Sequence, residues 1–207
     1  MPSATPSPGG SMLDLIRADF RRYCPAGAGA RTRLTAVLEY GFLATVIYRY
    51  GRWTRLIRPR LLGLPFKLLY WVLARASDLL FGINISTNAS IGPGLYIGHY
   101  GAIFLHGDMG ANCSVGQCVT VGYKGAGRST RPPRIGNNVY IGTSAVVIGD
   151  VEIGDDVIIG ANTTVVVNVP AGHRVVGAAV RISKIEARVP VAAARPASTN
   201  PEPVDVV

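Results

Sequence analysis

Apolar residues recur every six positions along the middle of the chain. Ile85, Ile91, Ile97, Ile103, Met109, Val115 and Val121 form one run. The register then slips by two and resumes as Ile135, Ile141, Val147, Ile153, Ile159 and Val165. Four positions after most of these anchors sits a second apolar or small residue, as at Leu95, Cys113, Val119, Val139, Ala145 and Val157. The positions between are polar or small, and Gly directly follows many anchors, as at Gly92, Gly110, Gly136, Gly142 and Gly154.

A period of six matches neither the 3.6 of an amphipathic helix nor the 2.0 of a half-buried strand. It matches a parallel β-helix, in which short strands meet at corners and equivalent residues stack coil upon coil. A sandwich of short strands would not hold so strict a period. The anchors are expected inside a narrow prism, with Gly beside them supplying positive φ where the chain turns. Between Val121 and Ile135 the pattern fails. Residues 122–134 are polar and rich in Gly and Pro, and read as a loop extruded from the coil wall.

Ahead of the repeat the periodicity becomes helical. Ser11 is placed to cap a helix from about Met12 to Tyr23, with Leu13, Ile16 and Phe20 on one face. After a loop over Pro25–Ala30, a second helix is expected from about Leu34 to Leu56. Its second half interleaves Tyr48, Tyr50 and Trp53 with Arg49, Arg52, Arg55 and Arg58. An apolar run from Leu61 to Leu80 follows, broken by Gly63, Pro65 and Lys67, with segments shorter than the ~20 residues that span a bilayer. Two readings of this region stand: helices packed on one another and on a neighbouring subunit, or a basic, aromatic surface resting on anionic lipid. The organisation is therefore a disordered stretch 1–10, a helical segment 11–80, a β-helix 81–184 and a disordered tail 190–207.

Charge sharpens the division. The net charge is +9, and residues 1–80 hold twelve Lys or Arg against four Asp or Glu. The repeat and tail are nearly balanced. No zinc-finger spacing or helix-turn-helix pattern accompanies the basic segment, so nucleic acid is not an expected partner. Three cysteines at irregular spacing (Cys24, Cys113 and Cys118) fit neither a disulfide framework nor a metal motif. Charged residues interrupt any apolar leader near the start, and a cytoplasmic location is expected.

Only His99, His106 and His173 are available for acid–base chemistry, and they do not form a recognised metal set, so no metal is expected. His99 lies two positions after the anchor Ile97 and should project outward near a corner. The run INISTNASIGPGLYIGHYGAIFLHGDMGANCSVGQCVTVG, followed by RPPRIGNNVYIGTSAVVIGD and ending at GAAVRISK, closely resembles the serine O-acetyltransferase family over about 100 residues. The resemblance implies a left-handed β-helix, a homotrimer with room for two trimers to pair, and acetyl-CoA as donor. It implies His99 as catalytic base and Asn84 as the residue that orients it, at a position where the family has Asp. It places Gly122, Tyr123, Lys124, Gly142, Thr143, Ser144 and Ala161 on the donor. Arg128, Arg131, His106 and Asp108 are candidates for the acceptor, and His173 reads as structural.

Two departures point away from serine as the acceptor. Asn84 cannot offset the charge of an imidazolium, and Arg131-Pro132-Pro133 stands where the family carries Arg-His-Pro. Some relatives of the family serve polysaccharide assembly, which suggests a sugar or glycan-precursor hydroxyl. Serine acetylation for cysteine synthesis and a catalytically silent scaffold are the alternatives.

Overall fold

In the computed structural model, which describes residues 10–59, 61–125 and 131–177, the six-residue period closes into a three-faced parallel β-helix. Face 1 stacks β1 (Ile83–Ile85), β3 (Ile103–Leu105), β6 (Thr120–Gly122), β9 (Val146–Ile148) and β12 (Thr164–Val165). Face 2 stacks β4 (Asp108–Met109), β7 (Arg134–Ile135) and β10 (Glu152–Ile153), extended by bridges at Ile91 and Val169. Face 3 stacks β2 (Tyr96–Ile97), β5 (Ser114–Val115), β8 (Tyr140–Ile141), β11 (Ile158–Ile159) and β13 (Arg174–Val175). Every strand pair is parallel. Twelve of the thirteen anchors are buried; Ile85 is half-buried, and Ile83 fills the first layer of face 1 instead.

The glycines beside the anchors do not act as expected. None of them has positive φ. They are there because successive coils stack too closely for a Cβ. A methyl on Gly92 would meet Ala111 N at 2.7 Å, and one on Gly142 would meet Ala161 N at 2.6 Å. The left-handed turns fall three residues after the anchors, on Asn112, Asn138, Asp156 and Asn162 among others. Asn and Asp tolerate that conformation best among residues with a side chain.

One coil breaks the period in a way the strict six-residue count hides. Val121 pairs with Leu105, not with the anchor Ile103. Eight residues thus lead from Ile97 to Leu105 and four from Leu105 to Met109. The lengthened corner is the one that carries His99.

Among the described residues four α-helices precede the coil: α1 (Met12–Tyr23), α2 (Ala30–Leu38), α3 (Tyr40–Thr54) and α4 (Leu64–Ala76). Ser11 caps α1 in a reciprocal box with Asp14, as its sequence predicts. The single helix expected over Leu34–Leu56 is instead two, because Glu39 is extended (φ −61°, ψ 127°) and lets α3 turn onto the coil. A π-helical turn, Ser77–Phe81, leads from α4 into β1.

What docks the helices is the open end of the β-helix. The first coil has no coil above it, so its backbone groups would lack partners. Asp19 on α1 accepts from Gly94 N (2.8 Å) and Leu95 N (2.9 Å), and it is bridged by Arg49 on α3 (2.9 Å). Arg49 in turn donates to Ile91 O and Gly92 O, both at 2.6 Å. The Tyr48 hydroxyl donates to Ala89 O and accepts from Ile91 N, and the Tyr23 hydroxyl does the same for Ile97 O and N. Burial pushes both phenol pKa values up. Tyr48 and Arg49, which the sequence left between helix packing and a basic, aromatic surface on lipid, are thus core residues at 2% and 3% exposure. The proposed disordered segments 1–10 and 190–207 lie, apart from Gly10, outside the described residues.

Candidate functional site

His99 sits where the lengthened corner leaves face 3. The corner is pinned by Gly101 N donating to Phe81 O (2.8 Å) and by Tyr100, whose ring meets Tyr40 edge-on at 5.1 Å. His99 itself is exposed, and among the described residues no hydrogen bond orients its imidazole. The register Ile97–Val115–Ile141–Ile159 puts the residues two positions on, His99, Gln117, Thr143 and Ala161, along one edge of the prism. Strand spacing makes that edge about 14 Å long from His99 to Ala161. Gly142 and Ser144 belong to the same edge, with Ser144 in the left-handed region (φ 59°).

Asn84 does not meet His99. It projects from face 1, where its Oδ1 lies 2.6 Å from His106 Nε2 and its Nδ2 donates to Asp78 Oδ1 at 2.9 Å. Arg75 closes the chain with a 2.7 Å bridge to Asp78 Oδ2. The reason is topological. Asn84 is the middle residue of β1, in register with Phe104, two residues before His106 begins the corner toward face 2. His99 lies on the opposite corner of the same face. The register also makes Asn at this position intelligible: an Asp would place a second carboxylate against Asp78, and like charges at that distance resist ionising together.

The protonation of this chain of groups follows from what each can do. A carboxylate in an ion pair can only accept, so the Asn84 amide turns its NH₂ to Asp78 and its carbonyl to His106. A carbonyl can only accept, so His106 carries a proton on Nε2; in the neutral imidazole Nδ1 is then an acceptor that meets no described protein group. The groups line a cavity of about 210 Å³ between α3, α4 and the first coil, which also takes in Tyr70, Ser86 and Thr87.

Gly122 stacks directly on His106, 4.0 Å from its Cβ, and Tyr123 and Lys124 follow on the same corner. Both are exposed, and Lys124 packs along Gly149. Arg131 stands exposed at the returning foot of the loop; Arg128 lies outside the described residues. Asp108 is occupied, holding Ser90 N at 2.7 Å. His173 donates from Nδ1 to Ala171 O in the last turn, a structural role. Among the described residues no cluster of three or more His, Cys, Asp or Glu could hold a metal. Among the described residues no helix is long and apolar enough to cross a membrane.

Sequence reasoning passed over Asp78 and Asp19. A signal existed for both: only four acidic residues lie among twelve basic ones before residue 81, and Asp19 falls on the apolar stripe between Ile16 and Tyr23. A lone carboxylate on such a stripe marks a buried pair.

Residues 132–166 match the bacterial transferase hexapeptide family (six repeats). The serine acetyltransferase of Synechococcus elongatus is 34% identical over 174 residues, which cover 83% of this chain and 68% of that protein. The chain belongs to the serine acetyltransferase family. The Synechocystis serine acetyltransferase is 38% identical, over 80% of this chain and 65% of that one. The Neisseria gonorrhoeae serine acetyltransferase in complex with serine superposes with a TM-score of 0.63 at 30% identity, covering 81% of this chain and 67% of that structure. The chain thus spans about two thirds of the length of these relatives. The fold is the family's left-handed β-helix, and the chain is an acyltransferase with acetyl-CoA as acetyl donor.

Proposed function

We propose that the chain transfers acetyl from acetyl-CoA to a hydroxyl of a small acceptor, with His99 as the general base. Identity to serine acetyltransferases over four fifths of the chain carries this reading. It favours serine as the acceptor over the glycan hydroxyl that the loop sequence suggested. A glycan or sugar hydroxyl remains the second reading, on the observation that Pro132 stands where the family motif has His.

The step is a direct transfer. Neutral His99 takes the proton of the acceptor hydroxyl as its oxygen attacks the thioester carbonyl. Backbone N–H groups at Gly122 and Tyr123 are candidates to receive the oxyanion. Collapse breaks the C–S bond, and the imidazolium returns the proton to the CoA sulfur. Donor contacts along the edge of Gly142, Thr143, Ser144 and Ala161 would bring an extended arm toward His99.

Within one chain, His99 and Gly122 stand on opposite corners of face 1. A site using both is completed by apposing the two edges from neighbouring copies, which supports a homotrimer. Trp71, Val72, Leu79 and Leu80 are left at least half exposed. That is more apolar surface than a monomer usually keeps bare, and it fits subunit contact. The lipid-facing reading of the same segment would show instead as co-flotation with anionic vesicles. The proposed setting is the cytoplasm.

Thiol release from acetyl-CoA, measured with L-serine and with a panel of monosaccharides, tests the reading. Activity is expected with at least one of them, and His99→Ala should lower kcat by about 10²–10⁴-fold. An unimpaired His99→Ala enzyme would remove His99 from the chemistry.

A further inference from the structure

We propose that the cavity between α3, α4 and the first coil binds a small, uncharged polyhydroxylated molecule of monosaccharide size, with His106 Nδ1 accepting a hydrogen bond from one of its hydroxyls. The inference deepens the second reading of the proposed function, a sugar hydroxyl as acceptor, and rests on it only in taking the bound molecule to be the acceptor.

Three observations carry it. The first is that His106 is held ready. The series Arg75, Asp78, Asn84 and His106, with contacts of 2.7, 2.9 and 2.6 Å, fixes both the tautomer and the ring position. A side chain that only filled a turn would not need three groups to orient it. The fixed tautomer presents an acceptor, which complements a donor such as a hydroxyl.

The second is charge. Arg75 and Asp78 neutralise each other, and both carboxylate oxygens are already used, Oδ2 by Arg75 and Oδ1 by Asn84. A zwitterionic amino acid entering here would find no carboxylate free for its ammonium group. The remaining polar lining (Ser86, Thr87 and Tyr70) is uncharged and offers hydroxyls that both donate and accept. Sugars are matched by such mixed groups.

The third is size. A cavity of about 210 Å³ lies below the ~300–1,000 Å³ usual for drug-sized ligands, which suits a molecule of one sugar ring. His106 also lies directly beneath Gly122 at the end of β6, so a molecule in the cavity borders the corner assigned to the oxyanion.

The experiment reads binding apart from transfer. Side-chain ¹⁵N–¹H spectra of the uniformly labelled full chain, without acetyl-CoA, are recorded with D-glucose, D-galactose, N-acetyl-D-glucosamine and L-serine as probes. His106 is assigned through His106→Ala. The expected result is an Nε2–H tautomer for His106, an Nδ1 resonance that moves with at least one sugar and not with serine, and about tenfold weaker binding of that sugar in His106→Ala. Asn84→Ala keeps the histidine but should release the tautomer, giving averaged nitrogen shifts and weaker sugar binding. A silent His106 with all three sugars, or a response to serine alone, overturns the proposal. The proposed function fails separately, through absence of thiol release or an unaffected His99→Ala, and neither result alters the binding readout.

Discussion

Ile141, Val147 and Ile153 each occupy one layer of a stack whose neighbouring layers do the same work. Asp19 and Arg49 have no such duplicates. The β-helix spreads its stability over many equivalent contacts, each worth about 1.5–3 kcal/mol for a fully buried aliphatic side chain. The helical segment attaches through unlike, single contacts: the Asp19–Arg49 pair and the Tyr23 and Tyr48 hydroxyls at the edge of the first coil, with Arg22 on Ser114 Oγ, Arg55 on Asn88 Oδ1 and Ser77 on Ile83 O beside them. The difference is one of chemistry as much as number. The repeat buries groups that want only to leave water, whereas the docking site buries charges and backbone groups that must find partners.

That contrast is broken most directly at Asp19. Asp19→Ala leaves the Arg49 guanidinium buried and unpaired and strips Gly94 N and Leu95 N of their acceptor. A loss of about 3–5 kcal/mol is expected, read as a fall in the denaturant midpoint. Removing both charges together, as Asp19→Leu with Arg49→Met, should cost less than Asp19→Ala alone, because no charge is then stranded. A double variant weaker than the single would show that the pair contributes net stability and that the tyrosines do not suffice to hold the helices.

The repeat is tested at Gly142. Its role is to let Ala161 N approach, so Gly142→Ala forces two coils apart and should cost about 1–3 kcal/mol. The control is Gly125→Ala, where a methyl would meet nothing within 4 Å. That change should lie within about 0.5 kcal/mol of the parent. Equal effects at the two positions would restore the idea that the anchor-following glycines serve backbone conformation rather than stacking.

The same contrast explains what the sequence could reveal. A repeat writes its structure many times over, so the faces and the buried anchors could be read from spacing. Conformation within one repeat could not. The glycines looked like turn residues because spacing carries no information on how closely the next coil lies. The helical segment is written once. Its break at Glu39 and its salt bridge across thirty residues depend on contacts with the first coil that no local pattern records. The site shows both cases. His99 stood out by its place in the period and by the resemblance of its surroundings. Its expected partner Asn84 went to His106, because two residues added in one corner of the coil and removed from the next changed which side chains share an edge.

The gentlest probe separates the two regions by pH. Cys113 fills the inner position that Val139 and Val157 fill in the following coils, and it is fully buried. Burial pushes its thiol up to about 11 from an ordinary value of 9.0. Below pH 9 both the folded and the unfolded chain keep the proton, and the thiol does not affect stability. Above pH 9 the unfolded chain releases it first, so unfolding becomes easier as pH rises, until the folded thiol also ionises near 11. Cys113→Val should change stability by less than about 1.5 kcal/mol at neutral pH and flatten the alkaline decline between pH 9 and 11. The decline should persist in part, because the buried phenols of Tyr23 and Tyr48 have the same sign, with pKa values also raised by burial. Denaturant midpoints across that range measure both contributions. An unchanged slope in Cys113→Val would assign the whole alkaline response to the tyrosines, and hence to the docking of the helices rather than to the coil.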